Sequence, residues 1–251
     1  MHDLASALSP WTKAPAPSAR QLWLATGMTV GFTLLARWLR GVTDGGAIAG
    51  AVICFLLYLG AGPAGFVALV SLFALTWVTT RWGYQKKQRL GVAEKRDGRR
   101  ATQVLANLGL AGLCALLHVL NPARPAYLLA MAAALSEAAA DTVSSEMGQV
   151  SADQARLITT WERVPAGSDG GVSPVGTLAG IVAAALLSLV CSATGILPWR
   201  WFGVSLIAAT GGMTADSYMG ASLERRKVLN NDAVNFLSTG VAVAIALLLA
   251  G

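Results

Sequence analysis

Residues 127–148 read "YLLAMAAALSEAAADTVSSEMG". Three carboxylates, Glu137, Asp141 and Glu146, interrupt a run that otherwise has the composition of a membrane helix. An ionised carboxylate near the centre of a bilayer costs several kcal/mol, so these acids must face a polar interior. At about 100° per residue, Asp141 lies about 40° from Glu137, and Ser144 about 20° to its other side. Glu137, Asp141 and Ser144 or Ser145 therefore share one face. In an ideal helix Glu146 points away from Glu137. It joins the others only if the helix breaks before it, which Gly148 permits. The plainer alternative for Glu137 and Asp141 is structural pairing with an arginine of a neighbouring span.

The rest of the chain supports a membrane setting. Of its 251 residues, 55% are hydrophobic and only 13% charged. Soluble domains carry roughly a quarter charged residues. Helical spans need about 20 mostly apolar residues. Eight segments qualify: roughly 22–39, 45–61, 63–82, 101–120, 125–147, 173–195, 201–220 and 232–250. The second and third meet in the uncharged turn "GAGPAG". The expected fold is an all-α polytopic helical bundle of about eight spans, with six as the lower bound. Residues 1–21, rich in Pro and Ala, read as a disordered or interfacial segment and not as a signal peptide. Residues 22–251 read as one integral-membrane domain with loops 83–100, 148–172 and 221–231.

Charge orients the chain. If the N-terminus is outside, the outer segments hold only Lys13, Arg20, Arg124 and Arg200 of the 19 basic residues. Basic residues accumulate on the cytoplasmic side, so all three loops and the polar ends of the spans face the cytoplasm, across the cell's inner membrane. The net charge of +6 is then explained by topology and anionic headgroups, not by nucleic acid. Cys54, Cys114 and Cys191 stand alone in apolar runs, which argues against zinc and disulfides. With only His2 and His118 in the chain, any metal site must be built from oxygen. That favours magnesium or manganese.

Four further stretches carry polar chemistry. "PAGSDGGVSPVGTLAG", 165–180, sets Asp169, Gly170 and Gly171 before Ser173, a candidate N-cap, and Pro174 at the first helical position. Glycines and free N–H groups at a helix start suit phosphate, although a plain loop-to-helix turn uses the same residues. "TADSYMGASLERRK", 214–227, puts Asp216 one turn before the end of the seventh span and follows it with Arg225, Arg226 and Lys227. The cations also fit topology and headgroups alone. In "RWGYQKKQRLGVAEKRDGRRATQVLANLG", 81–109, Arg99 and Arg100 precede a helix with Gln103 and Asn107 one turn apart. These amides line a polar cavity or bond neighbouring helices. In "KVLNNDAVNFLSTG", 227–240, residues 230–232 cap the last span, and Asn235 reaches toward the same cavity. No nucleophile–histidine pair is available for acyl transfer. The set suits magnesium and a polyphosphate at the membrane surface.

"ADTVSSEMG", "GSDGGVSPVG", "ADSYMGASLE" and "GVAEKRDGRRATQVLANLG" resemble the motifs of an integral-membrane family. It includes the animal protein called transmembrane protein nineteen and the plant phytyl-phosphate kinase of vitamin E synthesis. The resemblance runs from about Gly31 to the C-terminus. It departs mildly at "SSE", where Ala-Ser-Glu is expected, and at "GSDGG", where Thr is expected for Ser168. The plant member implies phosphorylation of an isoprenoid monophosphate to the diphosphate. A more distant similarity to CTP-dependent phytol and dolichol kinases and CDP-diacylglycerol synthases implies CTP or another NTP as donor. The resemblance puts Asp141, Glu146, Asp169, Gly170, Gly171 and Asp216 in the functional set, with Asn107, Arg99 and Arg100 matching its basic-loop motif. The expectation is an isoprenoid-phosphate kinase: Asp141, Glu146 and Asp216 on magnesium, the Asp169–Ser173 stretch and Asn107 on phosphate, and Arg99, Arg100, Arg225 and Lys227 offsetting charge. Ion-coupled transport and CDP-lipid-type nucleotidyl transfer are the alternatives.

Overall fold

The computed structural model describes residues 17–94, 97–151 and 155–250. Most of the expected N-terminal segment lies outside them. The chain forms a helical bundle: α1 (Ala19–Trp38), α2 (Asp44–Arg81), the short α3 (Tyr84–Arg89), α4 (Ala101–Leu120), α5 (Ala126–Val150), α6 (Pro174–Ala193), α7 (Phe202–Met219) and α8 (Asn231–Leu249). A π-helical turn, Gly220–Glu224, continues α7. The 151–173 link holds a two-residue antiparallel ladder, β1 (Arg156–Leu157) against β2 (Gly171–Val172). Among the described residues five helices, α2, α4, α5, α6 and α8, are long and apolar enough to cross a membrane.

α2 contains both the second and third expected spans. At Gly62 the backbone leaves helical geometry (φ 61°, ψ −150°) and Pro63 follows. A Cβ on Gly65 would fall 2.4 Å from the Leu57 carbonyl oxygen. In a straight helix those residues stand about 12 Å apart, so the chain doubles back here. Gly62 supplies the positive φ that the reversal requires.

α5 is the central helix. Every residue from Leu129 to Ala140 is buried, because α2, α4, α6, α7 and α8 surround it. Its alanines let those neighbours come close. Against α6 the approach is tightest at Gly176 and Gly180, where added Cβ atoms would meet the Ser144 and Ala140 carbonyl oxygens at 2.7 and 2.9 Å. Small residues four apart are the usual means of close helix contact in a membrane. Deeper in the bundle, the hydroxyls of Ser136, Ser188 and Ser205 link α5, α6 and α7 at 3.2 and 2.9 Å.

One end of the bundle gathers the C-termini of α1, α2, α5 and α7 with the N-termini of α4, α6 and α8. There Arg99 N–H donates to Gly41 O, and Thr43 N–H to Arg99 O, at 3.0 Å each. The segment preceding α4 is thus zipped against the α1–α2 link. Arg81 and Trp77 donate to Leu39 O, the C-cap carbonyl of α1, at 2.7 and 3.2 Å.

A candidate polar site at one end of the bundle

A polar pocket of about 180 Å³ opens at this end, lined by Arg99, Gln103 and Asn107 from the α4 side, Asp141, Thr142, Ser145, Glu146 and Gln149 from α5, and Asn231 and Asn235 from α8, with Val92 and Glu94. Helical spacing builds its walls. Gln103 and Asn107 are one turn apart on α4, as the sequence indicated, while Asp141 and Ser145 repeat at i, i+4 on α5. Ser145, rather than Ser144, faces the pocket. Ser144 is consumed by packing on α6.

Two helices bring their acids together. Asp141 of α5 and Asp216 of α7 lie within hydrogen-bonding reach of each other. With its amide oriented to satisfy its neighbours, Asn235 donates to Asp216 Oδ2 at 3.2 Å and accepts from Asn107 Nδ2 at 3.1 Å. The chain Asn107–Asn235–Asp216–Asp141 therefore ties α4, α8, α7 and α5. Arg99 Nη2 donates to Thr142 Oγ1 at 3.1 Å, and its guanidinium faces Asp141.

Glu146 keeps its ideal-helix position and has a cation partner that the sequence did not indicate. α5 runs unbroken through Gly148 to Val150, so no helix break turns Glu146 toward Glu137. It reaches the pocket on a neighbouring stripe with Thr142 and Gln149. Its Oε2 accepts from Lys87 Nζ at 2.6 Å, so that oxygen is engaged by a cation, although Glu146 lines the same pocket as Asp141. The expected three-carboxylate magnesium set is not assembled. Among the described residues no group of three His, Cys, Asp or Glu is arranged to hold a metal. The donor chemistry does fit a more modest arrangement. Magnesium commonly takes one or two protein carboxylates and completes its shell with water and substrate phosphates. Asp141, on the pocket wall, and Asp216, bonded behind it, are two carboxylates of that kind.

Glu137 is structural in its contacts. Buried in the bundle, its Oε1 accepts from Ser238 Oγ at 2.8 Å and its Oε2 from Thr239 Oγ1 at 2.7 Å. α7 comes close to it through Gly212, where a Cβ would lie 2.6 Å from Glu137 Cγ. Among the described residues no arginine pairs with it: the acid joins α5 to α8.

The glycine loop sits beside the pocket without lining it. Asp169 is exposed. Gly170 adopts φ +70°, and a Cβ there would strike Ala221 N at 2.3 Å, so the loop is docked by its backbone on the π turn that ends α7. Gly171 N–H donates to Ser168 O at 2.8 Å. Ser173 Oγ accepts from Gly176 N–H at 3.1 Å and is the N-cap of α6. Arg100, Arg225 and Lys227 are exposed, and none of them lines the pocket.

Two residues singled out by the structure had no assigned role in the sequence reading. Lys87 is fully buried, yet its partner Glu146 is 59 residues away, beyond any local pattern. Glu224 faces Asp169 and Asp141, and burial followed by those charges raises its carboxyl to about 7. Its position next to the Arg225–Lys227 run hid it. Beside the polar pocket, an apolar cavity of about 310 Å³ runs between α1, the two arms of α2 and α4. Glu94, Arg99 and Asn107 line both spaces.

The comparisons with known proteins agree with this architecture. The profile of the family described as integral membrane protein DUF92 matches residues 27–243. An uncharacterized membrane protein of Methanocaldococcus jannaschii is 35% identical over 223 residues, covering 86% of this chain and 89% of the relative. One of Synechocystis is 32% identical, covering 78% of each. The chloroplastic protein VTE6 of Arabidopsis thaliana is 30% identical, covering 83% of this chain and 65% of VTE6. No solved structure matches the chain significantly. The chain is an integral membrane protein and belongs to the DUF92 family.

Proposed function

We propose that the protein transfers a phosphoryl group from CTP or another nucleoside triphosphate to an isoprenoid monophosphate, such as phytyl or geranylgeranyl phosphate, giving the diphosphate. In this reading it sits in the cell's inner membrane with its polar end in the cytoplasm. One observation carries the reading: Arg99, Asn107 and Glu94 stand at the junction of an apolar cavity and an acid-lined pocket. A molecule with an apolar tail and an anionic head fits that junction. The motif resemblance and the 30% identity to VTE6 suggest the reaction class.

The acceptor oxygen of a monophosphate is already anionic, so no strong general base is needed. The bond from the donor's terminal phosphorus to its bridging oxygen breaks, a new P–O bond forms to the acceptor, and the nucleoside diphosphate leaves. Such transfer depends mainly on positioning and charge neutralisation. Arg99, fixed by its backbone to the α1–α2 link and by its side chain to Thr142, holds the acceptor phosphate at the junction. Asp141 and Asp216 would hold magnesium, which supplies charge neutralisation on the phosphates. The Asp169–Gly171 loop meets the donor, and the exposed Arg100, Arg225 and Lys227 offset its charge. Ion-coupled transport fits less well, because it needs polar lining toward both faces.

The test is nucleotide binding by detergent-purified protein, with magnesium and then with a chelator. Divalent-dependent binding of a nucleoside triphosphate is expected. Absence of any nucleotide binding contradicts the proposal.

A further inference from the structure

The apolar cavity has a mouth and a floor. At its mouth stand Arg40, Arg81 and Arg99. α1 and the second arm of α2 run toward the polar end, whereas the first arm of α2 and α4 run away from it. The deepest lining positions are therefore Phe32, Gly50, Leu69 and Leu108. At 1.5 Å per residue, the helix from Leu69 to Arg81 spans about 18 Å. An extended carbon chain advances about 1.25 Å per bond, so an isoprene unit of four chain bonds takes about 5 Å. The cavity is thus as deep as roughly three to four isoprene units.

Its floor is aromatic. Phe32 packs edge-on against Phe73 at 5.3 Å and against Phe66 at 5.7 Å between ring centroids. Phe73 lines the cavity, whereas Phe66 lies beyond it. The Phe32 ring is therefore the partition between the cavity and the packing behind it. Opposite, Gly50 leaves open space: no atom lies within 4 Å of where its Cβ would be.

We infer that this cavity holds the tail of the isoprenoid substrate as an extended chain, with its phosphate at the arginine-lined mouth, and that Phe32 and Gly50 set the longest tail accepted. The inference rests on the isoprenoid reading above. Three arginines outnumbering one carboxylate, Glu94, at one end and an apolar lining at the other match a single-chain lipid with one anionic head. Phe32 stops the chain by its bulk. Gly50 leaves width for the chain's methyl branches at the last unit. A single extra methylene in an apolar pocket discriminates about 10-fold or more, so a change of one whole unit is readily measured.

The experiment has two readouts on the same samples. Isoprenyl monophosphates of two to six units are mixed with detergent-purified wild type, Phe32→Ala and Gly50→Leu, and bound lipid is measured by native mass spectrometry without nucleotide. Turnover with magnesium and CTP or ATP is then followed for each length. Wild type is expected to retain chains up to four units and discriminate against five. Phe32→Ala should raise the ratio of five-unit to four-unit retention about 10-fold, and Gly50→Leu should lower four-unit retention about 10-fold relative to three. Gly50→Leu fills open space and replaces a poor helix former, so it keeps the test valid if Phe32→Ala unfolds. Length-dependent binding that shifts in these directions upholds the inference even without turnover, a result that counts against phosphoryl transfer instead. Turnover or binding with a length profile unchanged in both variants overturns the inference, as does equal retention of all lengths by wild type.

Discussion

Lys87 Nζ donates to Glu146 Oε2 at 2.6 Å and to the Thr79 and Thr80 carbonyl oxygens at 2.9 Å each. All three ammonium hydrogens are used, and the side chain has no exposure to solvent. The pair staples α3 to the C-terminal end of α2 and to α5. Next to it, Lys86 Nζ donates to Val150 O at 2.7 Å. Each cation donates to carbonyls in the last turn of a helix, where a positive charge is favourable.

Removing one partner of a buried ion pair leaves an uncompensated charge and costs about 3–5 kcal/mol. Lys87→Met should therefore lower the melting temperature in detergent sharply. Lys87→Met combined with Glu146→Met should recover at least half of that loss, since two apolar groups replace both charges. A Lys87→Met protein that melts like wild type would show the pair to be unimportant.

Glu137→Ala removes two hydrogen bonds between α5 and α8 and leaves a small void. The expected cost is about 2–3 kcal/mol. Ser238 and Thr239 keep their bonds to Asn235 O, so the protein still folds. Thermal melts should show the loss, and nucleotide affinity should stay near the wild-type value. A large drop in affinity at unchanged stability would place Glu137 in the site instead.

Gly170→Ala puts a Cβ into the Ala221 backbone at a positive φ. The loop must then lift off the end of α7, at a cost of about 2 kcal/mol or more. Limited proteolysis between Arg156 and Lys227 should accelerate, and nucleotide binding should weaken. Gly27→Ala, where a Cβ meets nothing within 4 Å, is the matched control and should leave both unchanged.

Glu224 gives a pH signature in chelator, where no metal contributes. Its carboxyl is raised from the ordinary 4.5 to about 7 by burial and by Asp169 and Asp141. The folded state therefore holds this proton more tightly than the unfolded chain. Its favourable contribution is full below the ordinary carboxylate range and is lost as pH rises through 7. The melting temperature should fall between pH 6 and pH 8, and Glu224→Gln should flatten that fall. An identical slope in the variant would assign the effect elsewhere.

Much of the bundle was legible in the sequence because membrane helices announce themselves by length and apolarity. The reversal at "GAGPAG" and the shared face of Gln103 and Asn107 followed from local rules. The role of Glu137 did not, because Ser238 and Thr239 lie about a hundred residues away on α8. The Lys87 partner of Glu146 was hidden for the same reason, since it lies 59 residues away in the basic stretch before α4. The apolar cavity was invisible, since it is a gap between α1, α2 and α4 lined by small residues such as Ala47 and Gly50. The glycine of the phosphate-type loop carries a second meaning, since Gly170 is required by packing on Ala221 whatever it binds.

The most direct test of the account is phosphoryl transfer by wild type and Asp141→Asn. Purified protein is incubated with magnesium, labelled CTP or ATP, and phytyl or geranylgeranyl monophosphate, and the lipid diphosphate is counted. The account predicts diphosphate from wild type, none in chelator, and a loss of at least about 100-fold in Asp141→Asn with its melting temperature preserved. Full activity in Asp141→Asn, or no lipid diphosphate from wild type with any nucleotide, would contradict it.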